Sequence, residues 1–134
     1  MTVIFDSSAL LAFLRGEAGG DLVLRLLVEP ENSCHIHAAN LCEVFYNMVR
    51  EYGEDRAVRQ IAEMQTLGLL CDTDLDALLW LDAGRLKAEY RRVFLADCFG
   101  LALVRRLRGT FYTTDHHELD ALKAAGVCDI EFIG

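Results

Sequence analysis

Short apolar runs alternate with longer helical segments along the whole chain, and this alternation most constrains the fold. The runs cover residues 3–5, 34–37, 69–72, 110–113 and 129–133. Between them, apolar residues recur at helical spacing, and glycines fall mainly at the predicted helix ends. Strands that alternate with helices through short turns are typical of a parallel sheet with helices on both faces. The sequence therefore predicts a three-layer α/β/α sandwich with a short, mostly parallel sheet.

The predicted helices fill the gaps between these runs. Helical periodicity is found before Gly16 and in segments 22–28, 40–52, 54–67, from 74 onward, 95–107 and 118–125. With 134 residues, 53% of them hydrophobic, residues 1–134 suit a single globular domain. No apolar run approaches the roughly 18 residues of a membrane-spanning helix, and no basic stretch precedes the first apolar run. We therefore expect a cytoplasmic protein.

An aspartate follows two of the predicted strands. Asp6 comes after VIF in the stretch VIFDSS, and Asp115 comes after FYTT. Ligands bind at the carboxyl ends of open parallel sheets, so both carboxylates would enter one crevice if these strands are neighbours where the strand order reverses. A simpler interpretation is that both acids help to cap the helices after them. Ser7 or Ser8 is the predicted side-chain cap of the first helix.

A third acid lies inside an apolar helix. Asp97 falls within VFLADCFGLALV, which is apolar nearly all round, so this helix must be largely buried. Burying an unpaired ionised carboxylate costs several kcal/mol, and no basic residue lies three or four positions away. We therefore expect Asp97 to bind metal or to act in catalysis. Glu43, in AANLCEVFYNMV, is ambiguous, because its place on an amphipathic helix also suits a solvent-facing side chain.

The stretches that contain these acids resemble a known family. In order, VIFDSSALLAFL, ANLCEV, LADCFGLALV and FYTTDHHELD are similar to segments of the PIN-domain ribonucleases, including VapC-type toxins of toxin-antitoxin pairs. The resemblance spans the chain and implies a PIN-like domain with catalytic and metal-binding carboxylates at Asp6, Glu43, Asp97 and Asp115. Many relatives have Ala where Cys98 stands and a second acid near the fourth position, for which Glu118 and Asp120 compete. Ser7 is an accessory candidate.

A cluster of carboxylates indicates a hard divalent cation. Carboxylates packed together stay ionised only around cations, and oxygen-only ligands select Mg²⁺ or Mn²⁺. Such ions polarise a phosphodiester and lower the pKa of a bound water, so we expect Mg- or Mn-dependent phosphodiester hydrolysis. The resemblance supplies RNA as the substrate and implies a homodimer and a small antitoxin protein that blocks the cleft. For a dimer contact, the sequence itself offers the apolar stretch LDALLWLDAG around Trp80.

Basic residues are few and unevenly placed. The net charge of -8 argues against indiscriminate binding to nucleic acids or anionic membranes. A basic set, predicted to contact the RNA backbone, nevertheless comprises Arg85, Lys87, Arg91, Arg92, Arg105, Arg106 and Arg108. A solvated helix face is the simpler explanation. Tyr112, His116 and His117 are further candidates for RNA contacts.

Two other functions fit parts of the pattern. A phosphoacceptor receiver domain also carries an aspartate at a strand end, but Asp6 has no acidic neighbour and the last strands carry no lysine. A non-catalytic PIN-like module that binds RNA or protein would not need all four acids. P-loop, dinucleotide and GxSxG motifs are absent from the sequence. The five cysteines, widely spaced within apolar segments, are predicted to be reduced core residues.

Overall fold

The computed structural model describes the backbone of residues 1–134 and every side chain except that of His117. The strands are β1 (Thr2–Phe5), β2 (Ser33–His37), β3 (Leu69–Asp72), β4 (Thr110–Thr113) and β5 (Ile130–Phe132). The helices are α1 (Ser7–Arg15), α2 (Gly20–Val28), α3 (Ala38–Tyr52), α4 (Glu54–Thr66), α5 (Ala77–Glu89), α6 (Leu95–Leu107) and α7 (His116–Ala124). Every predicted strand and helix is found, with ends shifted by a few residues. Within this range, no helix is both long and apolar enough to span a bilayer.

The strands form one parallel sheet in the order β3-β2-β1-β4-β5. Phe5, at the end of β1, pairs with Ile36 of β2 on one side and with Tyr112 of β4 on the other. The chain moves outwards from β1 to β3 and then returns, so the strand order reverses between β1 and β4. This is where the strand-end aspartates are predicted to meet. A receiver fold places its third strand beside its first, so the receiver alternative is wrong.

Successive residues of β1 point to opposite faces of the sheet, and helices cover both faces. Val3 and Phe5 belong to a core formed with α1, α2, α3 and α4. Ile4 belongs to a second core, which contains Phe111 and residues of α5, α6 and α7. Val3, Ile4 and Phe5 are all 0% exposed, which explains why β1 is apolar on both faces. The predicted three-layer α/β/α sandwich is confirmed.

Asp6 is the N-cap of α1. Its backbone is extended, and its carboxylate accepts a hydrogen bond from the Ala9 N–H at 3.0 Å. The carboxylate thus satisfies a backbone donor that has no partner within the helix. The prediction that Ser7 or Ser8 caps α1 is wrong, because both serines already lie in the first helical turn.

The cysteines are only partly buried, although all five are free thiols as predicted. Cys34 and Cys98 are buried, whereas Cys42 is exposed. Asn40 and Val44 of the same helix are buried, and a residue two positions from each of them points away from the core. The prediction that every cysteine is a core residue is therefore wrong for Cys42.

Candidate active site

Four acids lie around the end of the sheet where β1 and β4 stop. Asp6 follows β1 directly, and Asp115 lies two residues beyond β4. Asp97 is in the first turn of α6, and Glu43 is in the second turn of α3, which follows β2. Each of the other three carboxylates raises the pKa of Asp97 by charge repulsion. The other three acids that the sequence analysis selects are thus near enough to Asp97 to affect its pKa.

The Asp6 carboxylate is buried and held by three donors. Asp6 is 1% exposed. Its Oδ1 accepts hydrogen bonds from the Ser8 hydroxyl at 2.6 Å and the Ala9 N–H at 3.0 Å, and its Oδ2 accepts one from the Thr113 hydroxyl at 2.5 Å. The pKa of Asp6 is raised to about 6 in total. Burial is the largest cause and repulsion from Asp115 adds to it, while the three hydrogen bonds offset part of the rise. Asp6 is therefore fixed in position but costly to ionise.

Asp97 is the buried acid with the larger pKa shift. It is 6% exposed. Burial, followed by repulsion from the other three carboxylates, raises the pKa of Asp97 from 3.8 to about 8. No lysine, arginine or histidine among the described side chains offsets this repulsion. The carboxylate that the sequence predicts to need a counter-charge thus has none from the protein itself.

Glu43 is directed towards α1. The Ser7 hydroxyl donates a hydrogen bond to Glu43 Oε2 at 2.8 Å, and the Glu43 side chain is half-buried. The solvent-facing alternative for Glu43 therefore does not describe this structure. Ser7, the accessory candidate, links the start of α1 to the acid on α3.

Asn40 is a site residue that the sequence analysis missed. It is 0% exposed, and its Oδ1 accepts a hydrogen bond from the Ser7 N–H at 3.4 Å. Its Nδ2 donates to the carbonyl oxygen of Ala96, the neighbour of Asp97, at 3.2 Å. One amide thus joins the helix that begins after Asp6 to the helix that carries Asp97. A polar residue three positions before Glu43, and therefore on the same helical face, was the available signal.

Two hydroxyl groups, of which only that of Thr113 was missed, tie the end of β1 to the segment after β4. The Thr113 hydroxyl donates to Asp6 and accepts from the Asp115 N–H at 2.9 Å. The Ser8 hydroxyl likewise donates to Asp6 and accepts from the Thr114 N–H at 3.0 Å. Because each hydroxyl both donates and accepts, the two strand-end segments are held in register at the site.

Asp115, rather than Glu118 or Asp120, raises the pKa of the buried carboxylates. Asp115 contributes to the raised pKa of both buried acids, whereas Glu118 and Asp120 contribute to neither. The Asp120 side chain is 62% exposed and lies 3.8 Å from the His116 ring. Asp115 is therefore the strongest of the three candidates for the fourth position.

Two members of the basic set, Arg85 and Lys87, lie on α5, and the other five are divided between the two ends of α6. Arg91 and Arg92 lie in the turn before α6, at the Asp97 end of the helix. The other end lies about 12 Å further along the helix axis and carries Arg105, Arg106 and Arg108. Along the chain, Arg91 and Arg92 are therefore nearer to Asp97 than Arg105, Arg106 and Arg108 are.

Three members of the basic set are engaged within the protein. Arg105 donates to Asp82 at 2.7 Å, and Arg106 donates to both carboxylate oxygens of Asp76 at 2.6 and 2.8 Å. Lys87 Nζ donates to two backbone carbonyls in the turn before α6, at 2.8 and 2.7 Å. Asp76 is the N-cap of α5, which starts at Ala77 rather than near residue 74.

The aromatic candidates for RNA contacts differ in their exposure. Tyr112 is 8% exposed, because β4 is an inner strand, so the prediction that it contacts RNA is wrong. His116 is exposed and stacks on Phe132, with ring centroids 4.4 Å apart. The side chain of His117 lies outside the described part of the chain.

The donor atoms suit a hard divalent cation. Carboxylate oxygens are the ligands that Mg²⁺ and Mn²⁺ prefer, and no cation among the described side chains lowers the pKa of either buried acid. In the part of the chain that the structure describes, no three His, Cys, Asp or Glu side chains are arranged closely enough to hold a metal ion. Repulsion between ionised carboxylates opposes such an arrangement until a cation offsets it. The residues therefore fit Mg²⁺ or Mn²⁺ by their chemistry, and binding requires them to draw closer.

Known proteins share this fold. VapBC2 from Rickettsia felis, in a complex with a DNA fragment from the promoter, is 16% identical with a TM-score of 0.76, and 98% of each chain is covered. VapBC-1 from nontypeable Haemophilus influenzae is 14% identical with a TM-score of 0.71, again covering 98% of each chain. Mycobacterium tuberculosis VapC20, a sarcin-ricin loop cleaving toxin, is 19% identical with a TM-score of 0.69, covering 92% of this chain and 95% of VapC20.

Sequence comparison assigns the family. No curated protein gives a significant match to the sequence. The family model described as "PIN domain" matches residues 3–124, which is nearly the whole chain and includes all four acids of the site. This protein therefore belongs to the PIN-domain family.

Proposed function

We propose that this protein is a metal-dependent endoribonuclease that hydrolyses RNA phosphodiester bonds. The proposal rests on one observation: three acids from other elements raise the pKa of the buried Asp97, and no cation among the described side chains offsets their charge. Such an arrangement is costly to the fold, because burial and like charge both oppose ionisation. Binding a divalent cation and a polyanionic substrate would account for that cost.

All four acids contribute to the proposed metal site. Mg²⁺ or Mn²⁺ would be held by carboxylates of Asp6, Glu43, Asp97 and Asp115. The bound ion would supply a Lewis acid for a phosphate oxygen and lower the pKa of a water molecule. The chain itself contributes orientation, because Ser8 and Thr113 fix the Asp6 carboxylate and Ser7 directs Glu43. No side chain needs to attack phosphorus.

The relatives favour RNA as the substrate and an antitoxin as the partner. VapC20 is described as a toxin that cleaves the sarcin-ricin loop. The structures from Rickettsia felis, Haemophilus influenzae and Salmonella typhimurium are of VapBC proteins, two of them bound to DNA. We therefore propose that this protein is the toxin of a toxin-antitoxin pair that acts in the cytoplasm.

A homodimer is part of the same proposal. The side of α5 around Trp80 carries apolar residues that remain exposed, with Leu78 77%, Trp80 50% and Leu81 40% exposed. Contiguous exposed apolar surface of this kind marks contact sites between proteins. A second copy of the chain is the occupant that the family resemblance suggests.

Cleavage of single-stranded RNA is expected in the presence of Mg²⁺ or Mn²⁺ and is expected to stop in excess EDTA. Asp6→Asn is expected to lower the rate by roughly 100-fold or more, because it removes a charge from the site. Gel analysis of a labelled RNA measures the rate. Asp55→Asn, an exposed acid in the first turn of α4, is the matched control and should cleave normally. EDTA-resistant cleavage, or equal loss in both variants, would contradict the proposal.

RNA binding is expected to depend on Arg91 and Arg92 and not on Arg105. Each of the first two, changed to Ala, should weaken binding and reduce the slope of log affinity against log salt by about 0.7, the loss of one phosphate contact. Arg105→Ala should leave the slope unchanged, because its guanidinium is engaged with Asp82. Fluorescence anisotropy over a salt series measures this. The same slope change for Arg105→Ala as for Arg92→Ala would contradict the division of the basic set.

A non-catalytic RNA- or protein-binding module is the second candidate. It is favoured by the absence, among the described side chains, of three groups already arranged around one metal position. Such a module would bind RNA with the same affinity in EDTA and in Mg²⁺ and would leave the RNA intact. The cleavage experiment therefore separates the two candidates directly.

A further inference from the structure

An exposed aromatic ring stands at the edge of the acidic site. Phe94 immediately precedes α6 and is 63% exposed. It lies three residues before Asp97, so their backbones are separated by less than one helical turn, about 5 Å along the axis. The backbone that carries the ring is therefore next to that of Asp97, on the side from which the chain enters α6.

Phe94 occupies a position where a phenylalanine costs stability. It is the N-cap of α6 and makes no side-chain cap hydrogen bond. Ser, Thr, Asp or Asn at an N-cap stabilises a helix by about 1 kcal/mol relative to an apolar residue. An exposed ring gains no compensating burial. Neither helix capping nor core packing thus explains the residue.

The Phe94 ring also differs from the exposed rings of Tyr46 and Tyr52. The Arg50 guanidinium lies 4.9 Å from the centre of the Tyr46 ring, and that of Arg56 lies 3.8 Å from the centre of the Tyr52 ring. No cation or second ring lies against Phe94 within the described residues. The ring is therefore available for stacking without first displacing an internal partner.

The segment that presents Phe94 is held in place. We call residues 90–94 the entry turn. Lys87 Nζ donates to the carbonyl oxygens of Arg91 at 2.8 Å and of Val93 at 2.7 Å. The Tyr90 N–H donates to the Leu86 carbonyl at 2.8 Å, and Val93 is only 2% exposed. Because the backbone that carries the ring is already fixed in this way, the protein loses little additional conformational entropy when a ligand stacks on the ring.

The charge of the entry turn complements a polyanion. Arg91 and Arg92 are exposed, and neither forms an ion pair among the described residues. A shallow pocket lies between this turn and α7, where Glu118 and Ala121 complete its lining. The turn is thus next to the helix that follows Asp115. Two free guanidinium groups beside an exposed ring are the combination that binds single-stranded nucleic acid through phosphates and base stacking.

We propose that Phe94 stacks on an unpaired RNA base next to the phosphate that is cleaved, while Arg91 and Arg92 contact the adjoining phosphates. This inference rests on the proposed ribonuclease function and assigns the substrate contact outside the acidic cluster. It makes Phe94 a determinant of single-strand preference, because a paired base has no face to offer the ring.

The test measures binding of a short single-stranded RNA that contains 2-aminopurine, in an Asp97→Asn background that does not cleave. Phe94→Ala is expected to weaken binding about tenfold or more and to abolish the fluorescence quenching that stacking causes. Phe94→Tyr should retain both, because it keeps the ring. Tyr52→Ala is the matched control, since it removes an exposed ring whose face is occupied by Arg56. Circular dichroism verifies that each variant is folded.

The outcomes separate this inference from the ribonuclease proposal. Equal RNA binding by Phe94→Ala and its parent overturns the inference, even if the wild-type protein cleaves RNA. Absence of RNA binding by the parent overturns it as well. Loss of self-association by Phe94→Ala with unchanged RNA binding would assign the ring to a protein interface instead. Binding that depends on Phe94, in a wild-type protein that never cleaves RNA, would contradict the nuclease proposal and the placement of the ring beside a cleaved phosphate, while the stacking contact itself would stand.

Discussion

Asp97→Asn is expected to raise the free energy of unfolding of the metal-free protein at pH 8 and to abolish the RNA cleavage that Mg²⁺ supports. The wild-type carboxylate is buried beside three other acids, and ionising it opposes folding. The amide keeps the shape without the charge, so the gain should be on the order of a few kcal/mol. Urea unfolding in EDTA measures it, and Asp55→Asn, an exposed acid, is expected to change little. Destabilisation by Asp97→Asn in EDTA would contradict the assigned environment.

The same acid predicts how stability depends on pH. The folded protein keeps the Asp97 proton up to about pH 8, whereas its ordinary pKa is 3.8. Between these values the folded state binds more protons than the unfolded state, so stability falls as pH rises. Asp6, with a pKa of about 6, adds to the fall at the acidic end of this range. The unfolding temperature in EDTA should therefore decrease from about pH 5 to about pH 8, and less steeply in Asp97→Asn.

Asn40→Ala is expected to destabilise the protein by roughly 3 kcal/mol. The side chain is 0% exposed, and its removal leaves the Ser7 N–H and the Ala96 carbonyl without their partner. Each unsatisfied buried polar group costs about 1–3 kcal/mol. Asn47→Ala is the matched control, because Asn47 is half-buried on the same helix and makes one bond, to the Glu43 carbonyl at 2.8 Å. Its loss should cost about 1 kcal/mol or less, as urea unfolding would show.

Asn40→Ala should also weaken Mn²⁺ binding, because the amide joins the segments that carry Asp6 and Asp97. Electron paramagnetic resonance of free Mn²⁺ measures this affinity without reference to cleavage. The Asn47 variant again serves as the control. Equal Mn²⁺ affinity in both variants would show that Asn40 supports the fold without positioning the acids.

The sheet and the helices were predictable because their signals are local. Apolar runs in β1 and β4, and helical spacing between the strands, need no knowledge of distant residues. The strand-end acids followed from the same reasoning. From sequence alone, capping and a role in the site are alternatives for Asp6, yet the same carboxylate caps α1 and raises the pKa of Asp97.

The other features depend on contacts between distant residues. The seven basic residues form one cluster along the sequence, but Arg105 and Arg106 pair with acids on or before α5. Asn40 was missed because the role of a neutral amide can be recognised only when both of its hydrogen-bond partners are known. Cys42 and Tyr112 were misplaced for a related reason, since burial depends on which helix face or which strand position the fold assigns.

The hydrogen bond from Thr113 to Asp6 joins residues 107 positions apart. During synthesis, this hydrogen bond, which helps to position Asp6 after β1, therefore forms only when most of the polypeptide has emerged and β4 has docked beside β1. A nascent or prematurely terminated chain without β4 lacks Asp115 and the hydroxyl that orients Asp6. For a protein proposed to degrade RNA, this late assembly would protect the translating messenger and ribosome from the unfinished product.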